Sequence, residues 1–238
     1  MSGSIKQRGA MALLFFRGGT AVGRKGRRWV VAGLVSWLGI AFLSLTVSSE
    51  RLGPYLLLII LQQLVFLACG GLGTDWSRLA RPSLKGAAQG IFLGIGLYIT
   101  NAFTMSTLVR LLDSLGGWAL RLAAEERSLM ESLLMSGSPR AALLVFVLVV
   151  LAAPLGEELF FRGALLAELV AVLGRRKGLA LAALVFAALH LYVIQFIPVF
   201  VAGLYLGLIV LLTGNLFTAV VAHGLANALT FFAMLSTL

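Results

Sequence analysis

The chain has 238 residues, 60% of them hydrophobic and only 12% charged, with a net charge of +10 and a mean hydropathy of +1.02. Soluble domains run near 45–50% apolar and about 25% charged, so a soluble globular fold is excluded. The expected class is all-α: a polytopic integral membrane bundle of about seven spanning helices (roughly six to eight) plus one interfacial amphipathic helix. The positive charge would also suit nucleic acid, but the basic residues fall in short clusters between apolar segments. That is the positive-inside pattern, and no nucleic-acid partner is expected.

Residues 1–28 carry Lys6, Arg8, Arg17, Arg24, Lys25, Arg27 and Arg28 and no acid, which reads as a basic cytoplasmic tail. The apolar run 29–49 is long enough to cross a bilayer, too long for a signal-peptide core and without an Ala-x-Ala site, so it is expected as an uncleaved first span. A turn at Glu50 to Pro54 leads to a second span over 55–72. Arg78, Arg81 and Lys85 outweigh Asp75 in the next loop, which places it on the cytoplasmic side. The third span, 86–109, repeats Gly86, Gly90 and Gly94, a small-residue face that lets another helix approach closely. Gly203 and Gly207 repeat the device later. Cys69, the single cysteine, lies in an apolar run and is expected to pack rather than react.

From Arg110 to Arg140 the signs balance: Arg110, Asp113, Arg121, Glu125, Glu126, Arg127, Glu131 and Arg140 interleave with Leu, Met and Trp. This predicts an amphipathic helix at the interface, with Glu125–Glu126 on its solvated face. A fourth span starts near Arg140, and a short helix over 164–173, carrying Glu168, stops at the basic cluster Gly174 to Gly178. Three further apolar segments follow, 179–195, 196–213 and 216–238, with no Lys, Arg, Asp or Glu after Lys177. Their conspicuous polar groups are His190, Gln195, Asn215, His223 and Asn227, and Pro198 marks a turn or kink. The expected organisation is one domain: tail 1–28, helices and interfacial segment 29–139, and a functional core 140–238.

The apolar run 141–153 closes on Pro154-Leu155-Gly156-Glu157-Glu158-Leu159-Phe160-Phe161-Arg162-Gly163. A charge at membrane depth is unfavourable by about 2.5–3.5 kcal/mol on insertion scales, so two adjacent carboxylates there point to use. At i,i+4 on a helix, Glu158 and Arg162 can pair, while Glu157 projects about 100° away. One carboxylate is then held by an internal partner and the other is left free. The only two histidines, His190 and His223, also lie in apolar segments and must face the bundle interior. His190 follows Phe186 by four, and His223 precedes Asn227 by four, so each pair shares a helix face.

If these helices converge, they form one polar pocket in a dry bundle. A carboxylate in such a site can act as general base on water, an imidazole can orient that water, and a second imidazole with an amide N–H can stabilise an oxyanion. The same inventory fits a metal site with Glu157, His190 and His223 as ligands and a bound water. The His-Glu-x-x-His motif of zinc proteases is absent.

Glu157-Glu158-x-x-x-Arg162, Phe186-x-x-x-His190 and His223-x-x-x-Asn227 resemble, in order and spacing, the three motifs of the CPBP intramembrane proteases, also called the Abi or type II CAAX prenyl endopeptidase family. The resemblance covers roughly 141–238 and uses every histidine in the chain. It implies a helical membrane endopeptidase of glutamic type, in which Glu157 activates water with help from His190. It further implies an oxyanion site made of His223 and Asn227, with Glu158, Arg162 and Phe186 in support. No metal is favoured; zinc is the alternative cofactor. The implied substrate is a membrane-anchored protein or peptide, lipidated or carrying a C-terminal anchor. The implied setting is a bacterial-type cell membrane, spanned several times, with the N-terminus cytoplasmic.

Two readings from other classes compete. An ion-coupled transporter could use the same buried ionisable groups as a relay, but inverted repeats are expected there, and here those groups all sit in the second half. A non-catalytic scaffold or immunity protein would bind a partner helix only, and would tolerate Glu157→Gln.

Overall fold

The computed structural model describes residues 24–47, 52–79, 82–114, 116–135 and 138–236. Most of the expected basic tail, together with Glu50, Arg51 and Arg81, lies outside the described residues. Among those described there is no β-strand. The helices in chain order are α1 (Arg24–Ser44), α2 (Leu52–Gly73), α3 (Leu84–Asp113), α4 (Trp118–Met135), α5 (Pro139–Ala188), α6 (Phe196–Thr213) and α7 (Leu216–Leu235), with a 3₁₀ turn at Trp76–Arg78 after α2.

Six of these helices, all but α4, are long and apolar enough to cross a membrane. Their polarity is arranged inside out. Phe42, Phe92 and Phe103 are 70% or more exposed, while Glu157, Glu158, Arg162 and His223 are all under 9% exposed. In water that distribution would be unstable; in hydrocarbon it satisfies both solvents. The chain is a multi-pass integral membrane protein.

The expected stop of the helix 164–173 at the basic cluster is present: within α5 the helix before Gly174 and the one after it are two separate arms. Gly174 breaks the rod with φ 77° and ψ 171°, a conformation that a residue with a Cβ rarely adopts. The chain folds back there so sharply that Gly178 lies against the backbone of Leu169 and Val170. One correction to the sequence reading concerns 189–195, expected as helix. Helix α5 ends at Ala188, a turn carries residues 189–191, and Pro198 falls in the first turn of α6, where its missing N–H has no intrahelical partner to lose.

Caps account for several boundaries. Ser83 accepts from the Gly86 N–H to start α3, Ser138 precedes Pro139 at the start of α5, and Asn215 Oδ1 accepts from the Thr218 N–H to start α7. At the other end of α6, Arg175 donates to the Leu211 carbonyl at 3.0 Å, a cation on the exposed carbonyls of a helix C-terminus. The Gly86, Gly90 and Gly94 face packs on α7: a Cβ at Gly90 would come within 2.7 Å of Val221 Cβ and 2.9 Å of the Thr218 carbonyl oxygen. Helices α1 and α2 meet the Phe160–Phe161 segment of α5 through Val30, Trp37, Phe66 and Cys69, which is buried as a packing residue. Helices α2, α5 and α7 thus bring the polar groups of three distant segments into one interior.

Candidate active site

The first half of α5 is not a regular α-helix. Val147–Ala152 and Glu158–Leu165 are π-helical, with Ala153–Glu157 as a short α-turn between them. The sequence supplies a cause in Pro154, whose missing N–H leaves the carbonyls four and five residues before it, Val150 and Val149, without that donor. Helix α7 donates to one and packs closely on the other. Asn227 Nδ2 donates to the Val149 oxygen at 2.9 Å, and Gly224 lies so close that a Cβ there would sit 3.0 Å from the Val150 oxygen. This docking of α7 on the wound-out segment carries His223 to the Glu157–Glu158 pair.

Glu158 is fully buried, and its Oε1 accepts from Arg162 at 2.9 Å and from His223 Nδ1–H at 2.9 Å. A carboxylate can only accept, so Nδ1 of His223 carries a hydrogen and Nε2 becomes the atom presented onward. Nε2 stands 4.0 Å from Oε2 of Glu157. Arg162, itself buried, also donates to the Gly203 carbonyl at 3.5 Å and lies over the Phe186 ring with its guanidinium carbon 4.2 Å from the centroid. The Glu158–Arg162 pairing predicted from i,i+4 spacing is therefore present, with His223 as a third member.

Phe186 is the hub of the remaining geometry. Its ring is 4.9 Å from Phe161, 4.6 Å from His190 and 6.3 Å from His223, in edge-to-face contacts. His190 is half-buried in the turn after α5, not deep in a span, and its Nδ1–H donates to the Phe186 carbonyl at 2.7 Å. A carbonyl cannot donate, so Nδ1 carries a hydrogen, and Nε2 is the acceptor whenever the ring is neutral. Glu157, Glu158, Arg162 and His223 thus form one contact network, with Phe186 and His190 beside it and Asn227 one turn along α7.

Two residues at this site or its margin were not foreseen. Gln63 Nε2, on α2, donates to Glu157 Oε1 at 3.4 Å, so Glu157 is not wholly free. A signal existed, since Gln62 and Gln63 are the only carboxamides in the apolar run 55–72. Glu126, expected on a solvated face, instead accepts three backbone N–H groups of the loop after His190. Its nearest sequence neighbours are polar, and periodicity alone could not distinguish a solvated face from one covered by a distant loop.

Among the described residues, no three His, Cys, Asp or Glu side chains are grouped so as to hold a metal ion. Glu157, His190 and His223 are not brought together as such a group.

Residues 139–229 match the family model of the type II CAAX prenyl endopeptidase Rce1-like proteins, a segment that contains all three motifs. No curated protein and no solved structure matches the chain.

Proposed function

We propose that this chain, a member of the CPBP (CAAX protease) family through residues 139–229, hydrolyses a peptide bond of a membrane-anchored protein or peptide by a glutamate-activated water. The single observation that carries the reading is the 4.0 Å separation of Glu157 Oε2 from His223 Nε2, with His223 held from behind by Glu158 and Arg162. A carboxylate and an imidazole nitrogen at that distance make no direct hydrogen bond, and one reacting oxygen beside the line between them can lie within hydrogen-bond reach of both.

In the proposed reaction Glu157 accepts a proton from water as its oxygen attacks the scissile carbonyl. His190, a hydrogen-bond acceptor at Nε2, orients that water. The oxyanion takes a hydrogen bond from Nε2–H of protonated His223 and one from the second N–H of Asn227, whose first is committed to Val149. With His223 protonated, two carboxylates face one imidazolium and one guanidinium, so the buried charges sum to zero. Glu157 then returns its proton to the leaving amine, the C–N bond breaks, and one water has been consumed. No metal takes part. The N-terminus is cytoplasmic, the setting is a bacterial-type cell membrane, and the substrate carries a lipid or an apolar C-terminal anchor.

The test is cleavage of a prenylated CaaX-tailed peptide and of an unprenylated C-terminally anchored peptide by purified protein in detergent. Wild type is compared with Glu157→Gln, His190→Ala, His223→Ala and Asn227→Ala, with and without a strong chelator. Each substitution is expected to lower kcat by about 100-fold or more, the scale for losing a general base or an oxyanion donor, with no effect of chelator. Activity lost on chelation and restored by zinc would overturn the metal-free reading. Glu157→Gln equal to an active wild type would overturn the assignment of the base. A wild type that cleaves neither substrate counts for the scaffold or transporter readings.

A further inference from the structure

We propose that Glu126 is a positioning residue for His190, strapping α4 onto the loop that carries it. Glu126 Oε1 accepts from the backbone N–H of Val193 at 2.6 Å and of Ile194 at 2.9 Å, and Oε2 from that of Gln195 at 3.0 Å. One carboxylate thus gathers three consecutive amides from 67 to 69 residues away, and charge-assisted bonds of this kind are about twice as strong as neutral ones. The strap is backed by packing. Ile194 is buried against Ala119 and Ala123 of α4, with Met105, Leu108 and Val109 of α3 beneath.

The loop under the strap is strained next to the site. Leu191, immediately after His190, has φ 57° and is the sole non-glycine residue with positive φ among the described residues. Its side chain is 65% exposed, so its own packing does not hold that conformation. It is held from both sides. Upstream, the His190 and Leu191 N–H groups close the last turn of α5 on the Ala187 and Ala188 carbonyls. Downstream, Glu126 fixes residues 193–195. His190 itself is tied by its Nδ1–H to Phe186 and by ring contacts to Phe186 and Tyr192. Releasing the downstream anchor lets Leu191 leave the left-handed region, and the turn bearing His190 moves with it. Misplacement of a catalytic group by about 1 Å can lower a rate on the order of a hundredfold.

The kinetic arm of the test rests on the protease reading; the other two arms do not. The chain has two histidines, so ring-labelled histidine gives two signals, assigned with His190→Ala. In the full-length protein, Glu126→Ala is expected to shift or broaden the His190 signal and leave that of His223 in place. Amide exchange over residues 193–195 is expected to rise by about tenfold or more. On a cleaved substrate, kcat is expected to fall about ten- to a hundredfold with KM within about threefold, and Glu126→Asp to recover part of it. In the His190→Ala background, Glu126→Ala is expected to add nothing. Glu126→Gln keeps the side-chain shape and replaces the alanine variant if that one does not fold. Unchanged His190 signal and exchange, equal disturbance of both histidines, or a full additional kinetic loss in the His190→Ala background would each overturn the proposal. An inactive wild type sinks the protease reading alone, and the signal and exchange arms still decide whether Glu126 holds the loop.

Discussion

Replacing Arg162 by methionine removes the only guanidinium among the buried site groups and keeps most of the side-chain volume. Three contacts go at once: the 2.9 Å bond to Glu158, the 3.5 Å bond to the Gly203 carbonyl and the cation–π contact at 4.2 Å to Phe186. The largest effect is on what remains. Glu158 is 0% exposed, and with Arg162 gone its remaining hydrogen-bond partner is His223. Breaking a buried pair by removing one partner is unfavourable by about 3–5 kcal/mol, because an uncompensated charge stays behind. For a chain of this size about 2–4 °C of Tm accompanies each kcal/mol, so Arg162→Met should lower the thermal midpoint in detergent by roughly 6–20 °C. The double variant Glu158→Gln/Arg162→Met removes both charges and leaves a carboxamide oxygen to accept from His223. It should recover at least half of the lost midpoint, since exchanging a buried pair for neutral groups is often close to neutral. Scanning fluorimetry of purified proteins measures both. A midpoint for Arg162→Met within about 2 °C of wild type, or a double variant no better than the single, would refute the charge-compensation argument.

Gly90→Ala should destabilise the bundle, because a Cβ there meets Val221 and the Thr218 carbonyl, whereas Gly71→Ala, with nothing within 4 Å, should leave the midpoint unchanged; equal effects would show that the α3–α7 contact is looser than described. Gln63→Leu should lower kcat about three- to tenfold with little change in KM, the scale of one ordinary hydrogen bond, here a long one at 3.4 Å to Glu157, and an unchanged kcat would show that Gln63 only packs.

Much of this protein was legible from residue order alone. Composition forces a membrane protein, and apolar runs of about 20 residues make it a helical bundle, since helices of that length satisfy their own backbone in hydrocarbon. Helical spacing is a local property, so the Glu158–Arg162 pair, the shared face of His223 and Asn227, and the Gly86–Gly90–Gly94 contact face could all be read from it. The tertiary structure decided which helices become neighbours. It set His223 against Glu158 across 65 residues, Gln63 against Glu157 across 94, and Asn227 on a carbonyl orphaned by Pro154. It also moved His190 from the expected span into a turn and turned Glu126 from a solvated acid into the acceptor of three backbone N–H groups just beyond that turn. Periodicity tells which face a side chain shares with its own helix; it carries no information about the partner that will cover that face. That choice is made by the packing of all the helices together, through close approach at glycines and the demand that every buried polar group find a partner.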